Sequence, residues 1–188
     1  MIPKAEYEEG IKLCERNARI SIDECTTLLK QRHFRQAFFF GVLTMEEIGK
    51  AGFIFEKWDD PHIFKNEWKN KETFFHHLNK ILKGKDMLYK DLEKDIRQRF
   101  PNDVNIVIGV LGHSDQELRD IWDYRNKILF VDYRFNEACW KGPQELADVE
   151  KRARDVHDKA IGYLIALTEL MQNHEIETDL KKIDTSKP

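Results

Sequence analysis

The chain has 188 residues, of which 35% are charged and 41% are hydrophobic, and its formal net charge is −3. This length is enough for one domain with a proper core, and the hydrophobic content excludes global disorder. The slightly acidic balance gives no overall basic signal, so any nucleic-acid binding must use a local patch.

Cysteine usage and the N-terminus predict where the protein works. The three cysteines, Cys14, Cys25 and Cys139, are odd in number and lack pairwise spacing, which is typical of a reducing compartment. The first ten residues carry acids and no apolar core, and no apolar run approaches the length of a membrane span. We therefore expect a cytoplasmic protein with no membrane association.

Apolar periodicity predicts an all-α bundle of about five helices, with one extended connection before the last helix. Ser114 to Glu117 form a capping box that opens the fourth helix, and Pro143 is well placed at the first position of the fifth. Lys83-Gly84-Lys85 are expected to kink or interrupt the third helix. The other predicted helices are Lys4 to Lys30, His33 to Trp58 and about Lys71 to Phe100, and the extended connection is Leu129 to Phe135, followed by a turn from Asn136 to Gly142.

The second helix is apolar on nearly all sides but carries Glu46, Glu47 and Lys50 within one sector. Buried carboxylates are costly unless they are paired. Glu46 and Lys50 are one turn apart and are expected to pair, which leaves Glu47 to find a cation elsewhere. Arg125 projects from the apolar face of the fourth helix and needs a buried anion, so Glu47 or a bound phosphate is its expected partner. A structural ion pair that fixes helix register is the alternative to a functional site.

Helical phase places further polar residues near the same point: His77 and Lys80 on the third helix, Asn126 on the fourth, and Asp132 just past it. An arginine, a lysine and a histidine together suit a phosphodiester, because arginine binds phosphate through paired donors and histidine transfers protons near neutral pH. Such a set can cleave RNA without metal by activating the 2′-hydroxyl. The sequence lacks the ligand spacings of a metal site and the motifs of cofactor-binding loops, so neither a metal nor a cofactor is expected.

Four blocks of the sequence form a recognisable series. The stretch from Ala37 to Lys50, AFFFGVLTMEEIGK, carries a Glu-Glu-x-Gly-Lys block. Three more blocks follow along the chain: Phe74-x-x-His77-x-x-Lys80, then Arg125 with Phe130-Val131-Asp132, then Trp140-x-x-Pro143. In their order and spacing these blocks resemble the AbiV-type abortive infection proteins of the HEPN superfamily. The resemblance covers roughly Cys14 to Leu164. It implies phage defence by a toxic ribonuclease that works as a dimer with its site between subunits, with a phage-encoded protein or an antitoxin as a further partner.

The chain departs from the superfamily's Arg-polar-His motif. Arg125-Asn126 fits its start, but Phe130, Val131 or Asp132 stands where the histidine is expected. We therefore assign catalysis to Arg125, Asn126, His77 and Glu47, with His77 as the replacement base, and substrate binding to Lys50, Lys80, Glu46 and Asp132. The alternative is a non-catalytic module that binds RNA, a nucleotide or a protein and has a structural polar cluster. The domain is expected to span residues 1–175, followed by a mobile tail over 176–188.

Overall fold

The computed structural model describes residues 3–59, 77–99, 113–129, 132–134, 139–141 and 147–176. Five helices lie in these ranges: α1 (Lys4–Lys30), α2 (Phe34–Asp59), α3 (His77–Arg99), α4 (Asp115–Leu129) and α5 (Val149–Asn173). Two three-residue strands, β1 (Asp132–Arg134) and β2 (Cys139–Lys141), pair antiparallel between α4 and α5, with Tyr133 opposite Trp140. The fold is the predicted all-α bundle with an extended connection before its last helix.

Most predicted boundaries agree with these bounds within the described ranges. The bounds of α1 coincide with the prediction, and α2 begins and ends one residue later than expected. Two boundaries were wrong. The last helix begins at Val149 after a turn at 147–148 and so does not run on from Pro143, and Cys139–Lys141 is a strand within a predicted turn. Residues 71–76 and 177–188, which include the start of the predicted third helix and most of the predicted tail, lie outside the described residues.

Helix α2 is the centre of the bundle and packs against all four other helices. Its side chains Phe38, Met45 and Ile48 are among the largest fully buried ones in the core. Burial on several sides explains why the sequence of α2 is apolar nearly all round. Polar side chains on α2 are therefore enclosed by neighbouring helices wherever those helices cover it.

The turn between α1 and α2 is a tight helix end that needs one left-handed residue. Arg32 takes this conformation, with φ of 62°. The N–H of His33 donates to the Leu28 carbonyl at 2.8 Å and that of Arg32 to the Leu29 carbonyl at 3.1 Å. This pattern closes helix C-termini and normally uses glycine. It returns α2 along α1, as predicted.

Two glycines set the distance between α2 and α3. A Cβ atom on Gly49 would collide with the backbone carbonyl of Lys80, and one on Gly84 would lie 2.9 Å from the Gly49 Cα. Of the two predicted possibilities at Lys83-Gly84-Lys85, a kink or an interruption, the interruption does not occur, since α3 runs through all three residues. A glycine is required at position 84 because the backbones of α2 and α3 are in contact at this point.

The capping box of α4 is confirmed. The N–H of Ser114 donates to the Glu117 carboxylate at 2.8 Å, and the N–H of Glu117 donates to the Ser114 hydroxyl at 3.2 Å. In α5, His157 is 4% exposed and its Nε2 lies 2.9 Å from the Thr26 hydroxyl. This hydrogen bond between His157 and Thr26 connects α5 to α1 within the core.

Candidate functional site

The predicted polar cluster lies where α2 meets α3 and α4. Glu46 and Glu47 on α2 are only 2% and 6% exposed, and Lys80 on α3 is 5% exposed. A buried charge needs compensating partners, so these three residues must be satisfied by one another and by their neighbours. How they are paired decides what the site can do.

Glu46 holds His77. The Nδ1 of the imidazole lies 2.6 Å from Oε2 of the carboxylate. Because an ionised carboxylate only accepts hydrogen bonds, Nδ1 carries the proton, and Nε2 of a neutral ring is then a proton acceptor. The other oxygen of Glu46, Oε1, is buried and has no hydrogen-bond partner. The His77 side chain is half exposed, so a substrate can reach its ring.

The pairing of the second carboxylate differs from the prediction. Lys50 donates to Glu47, three residues before it, and not to Glu46 as expected. On a helix a lysine can pair with a glutamate either three or four residues before it, and the side-chain rotamers decide which pair forms. The occupation of Glu46 by His77 leaves Glu47 as the partner of Lys50.

Lys80 and Cys14 lie beside this ion pair. Burial lowers the pKa of Lys80, and the nearby ammonium of Lys50 lowers it further, while Glu46 and Glu47 act in the opposite direction. Burial, with a smaller contribution from Glu47, raises the pKa of the Cys14 thiol to about 12. The thiol is therefore protonated and unreactive at neutral pH, whereas the lysine is set to lose its proton more readily than usual.

Arg125 is half buried between two aromatic rings. Its guanidinium carbon lies 4.4 Å from the ring centroid of Trp122 and 5.3 Å from that of Phe39. Nη1 donates to the side-chain oxygen of Asn126 at 3.4 Å, which is a long hydrogen bond. Stacking on aromatic faces suits a guanidinium, which is weakly hydrated and planar.

Among the described residues, Glu46 is the carboxylate whose charge acts on Arg125. Burial lowers the pKa of the guanidinium and the charge of Glu46 opposes this effect. The expected pairing of Arg125 with Glu47 was wrong, because Glu47 is held by Lys50. Glu46 therefore interacts with groups from two other helices, His77 on α3 and Arg125 on α4.

Trp122 was not predicted as part of the cluster. Its ring also stacks on His77, with centroids 5.4 Å apart and 15° between the planes. One indole thus contacts both the histidine and the arginine. Trp122 lies three residues before Arg125 on the same helix face, and this spacing was the available sequence signal. The predicted site residue Asp132 is the first residue of β1, and its side chain lies outside the described residues.

The described cluster contains three cations, Lys50, Lys80 and Arg125, against two carboxylates. It keeps one net positive charge when His77 is neutral, which suits an anion such as a phosphodiester. Within the described ranges, no group of three or more histidine, cysteine, aspartate or glutamate side chains is placed to hold a metal ion. None of the described helices combines the length and apolarity needed to cross a membrane.

Comparison with models of known protein families places the chain in a family. The family model described as AbiV, within the HEPN class, matches residues 6–157. No curated protein and no solved structure matches the chain. The matched region covers most of the chain and all the polar residues of the cluster from Glu46 to Asn126. The chain belongs to the AbiV family of HEPN domains, a membership that indicates an abortive-infection defence protein.

Proposed function

We propose that the protein is a metal-independent endoribonuclease that acts as a toxic effector in abortive infection. Arg125 binds the scissile phosphate and His77 Nε2 takes the proton of the neighbouring 2′-hydroxyl. The 2′-oxygen then attacks phosphorus, which yields a 2′,3′-cyclic phosphate and a 5′-hydroxyl end. No cofactor takes part.

The observation that carries this proposal is the shared contact of His77 and Arg125 with Trp122. A proton acceptor and a phosphate-binding cation must be held at a fixed separation to act on one phosphodiester. One indole contacts both groups, and the carboxylate of Glu46 fixes the ring of His77. A base oriented by a carboxylate is a recurring arrangement in proton-transfer catalysis.

We propose Glu46, rather than Glu47, as the carboxylate that acts with His77. Since Lys50 occupies Glu47, Glu46 is the carboxylate that orients the base. Asn126 adjoins the guanidinium of Arg125, and we propose that it contacts a non-bridging phosphate oxygen. Lys50 contributes positive charge to substrate binding.

The test is cleavage of RNA by the purified protein in a chelating buffer, with end-group analysis of the products. We expect wild-type protein to leave cyclic phosphate ends, and His77→Gln to lower the rate by about 10²- to 10⁴-fold, the usual contribution of a general base. His33→Gln is the matched control, because His33 is an exposed histidine at the turn before α2. Equal rates for wild type and His77→Gln would remove His77 from the reaction.

The second candidate function is RNA or nucleotide binding without cleavage. It is favoured by the sequence after Arg125-Asn126, where no histidine stands at the position that the superfamily motif requires. Wild-type protein that binds RNA, loses binding on Arg125→Met and leaves the RNA intact would establish this function in place of catalysis.

We also propose that the protein is a cytoplasmic homodimer. Phe39, Phe40 and Phe53 on α2 are only partly buried within one chain, and partly exposed aromatic side chains are favoured at interfaces. Light scattering at micromolar concentration should report twice the chain mass. A phage-encoded protein or an antitoxin is the further partner that the family suggests, and capture from infected cells would identify it.

A further inference from the structure

The reaction proposed above assigns no role to Lys80. It lies three residues after His77 on α3, so both side chains face the same sector of α2. Lys50 is engaged by Glu47 and is more exposed than Lys80, whose residue is 5% exposed. The cluster thus holds a nearly buried ammonium one helical turn from its base.

The main chain of Lys80 is packed closely against α2. Its carbonyl sits against Gly49, at a distance that excludes even a methyl group on that residue. The main chain of Lys80 is therefore anchored at the closest approach of α3 to α2, beside Glu46 and Glu47. This contact fixes the Cα of Lys80 relative to α2, and the burial of the residue limits the conformations open to its side chain.

The chemistry of the site needs a proton donor, and His77 and Arg125, the described residues already assigned to the reaction, do not supply it. His77 takes a proton in the first step, and a guanidinium does not lose its proton in proteins, which excludes Arg125. Burial and the neighbouring Lys50 both lower the pKa of Lys80, and a lysine with a lowered pKa is a better acid. A buried lysine beside a second ammonium is a known way to obtain such a group.

We propose that Lys80 is the general acid of this reaction and protonates the 5′-oxygen as it leaves phosphorus. This inference rests on the proposed function. The bond from the 2′-oxygen to phosphorus forms while the bond from phosphorus to the 5′-oxygen breaks, and the electron pair of the broken bond goes to the 5′-oxygen. That oxygen takes one proton from Lys80. His77 is left protonated and Lys80 neutral, and proton exchange with water restores both groups.

The test compares two RNA substrates that differ in one atom. In the first, the leaving group is the normal 5′-oxygen, and in the second it is a bridging 5′-sulfur. A thiolate leaves without protonation, so the second substrate has no need of a general acid. We expect Lys80→Met to slow cleavage of the oxygen substrate by about 10²- to 10⁴-fold and to leave cleavage of the sulfur substrate within about threefold of wild type. His77→Gln should slow both substrates, because both require the base.

Two further variants serve as a second test and as a control. Lys80→Arg retains the positive charge but not the transferable proton, so it should behave as Lys80→Met does and provides the answer if the methionine variant fails to fold. Lys83→Met is the matched control, since Lys83 lies on the same helix over the ring of Phe53, at 5.9 Å, and should cleave both substrates at the wild-type rate.

Equal losses on both substrates in the Lys80 variants would overturn the inference and leave Lys80 as a binding or structural residue, with the proposed function intact. Wild-type protein that cleaves neither substrate would overturn the proposed function and this inference with it. A rate for Lys80→Arg on the oxygen substrate equal to that of wild type would also contradict the role of general acid.

Discussion

Replacing Glu46 by glutamine tests the centre of the cluster. The glutamine has nearly the same shape, but it loses the charge and replaces one acceptor oxygen by an NH2 donor. The lost charge interacts with His77 through one oxygen and with Arg125 and Lys80 electrostatically. Removing one partner of a fully buried pair costs about 3–5 kcal/mol. The cost here is smaller because His77 is half exposed and Glu47 remains near Lys80.

We expect Glu46→Gln to lower the free energy of unfolding by about 2 kcal/mol, the value for a hydrogen bond to a charged group. For a chain of this size such a loss corresponds to a fall of about 4–8 °C in melting temperature. Differential scanning calorimetry measures it, with Glu24→Gln on the exposed face of α1 as the control. Glu47→Gln should cost less, about 1 kcal/mol, because its partner Lys50 is partly solvated.

Two outcomes of the melting experiments would contradict this reasoning. If Glu46→Gln melts at the same temperature as the Glu24→Gln control, the Glu46 carboxylate is solvated and the argument from burial is wrong. If Glu47→Gln is the more damaging of the two changes, the expected order of the two carboxylates is wrong, and Glu47 contributes more to the stability of the cluster than Glu46 does.

Three further predictions concern the helix contacts, the helix end and the buried thiols. Gly49→Ala should destabilise the fold by about 1–3 kcal/mol by overpacking. Gly52→Ala should stabilise it by up to about 1 kcal/mol, because the added methyl would meet its nearest atoms at 3.4 Å. Chemical denaturation measures both changes in the free energy of unfolding, which should be opposite in sign. Arg32→Gly should raise stability by up to about 1 kcal/mol in the same assay, because it relieves a left-handed conformation, and a loss of stability would contradict this. Burial raises the pKa of both Cys14 and Cys25 from 9.0 to about 12, so folded protein binds more protons than unfolded protein between these values, and the free energy of unfolding should fall as pH rises above about 9. Peptide mapping after alkylation at pH 8 should find both thiols unmodified in folded protein and modified in urea; rapid labelling of folded protein would refute this.

The sequence brought together the charged residues of α2, α3 and α4 in the cluster, but it gave neither their pairing nor the part played by Trp122. Helical phase is enough to bring Glu46, Glu47 and Lys50 to one sector, because 100° per residue is a fixed rotation. Which carboxylate meets which cation depends on rotamers and on the angle at which α3 and α4 cross α2. His77 reaches Glu46 only because α3 approaches α2 closely, and no local pattern encodes that distance.

Gly84 is a second case in which the sequence alone did not give the role of a residue. Within a single helix a glycine indicates a weak point, and a kink was the reasonable prediction. The close contact with Gly49 is a pairwise property of two segments 35 residues apart in sequence, so only the packed structure gives its meaning. Helix ends were predictable where a local device exists, as at the Ser114 capping box, and less so at Val149, where Asp148 makes no side-chain cap.

The position of α2 at the centre of the bundle has a consequence during protein synthesis. Glu46 is made early, but its partners His77 and Arg125 lie 31 and 79 positions further along the chain. The cluster cannot assemble until α4 has left the ribosome and packed on α2. A nascent chain with only α1 to α3 folded has His77 and Glu46 but lacks Arg125, to which we assign phosphate binding. If the complete protein is toxic to its own cell, the host that makes it is therefore exposed to the activity only after α4 is in place.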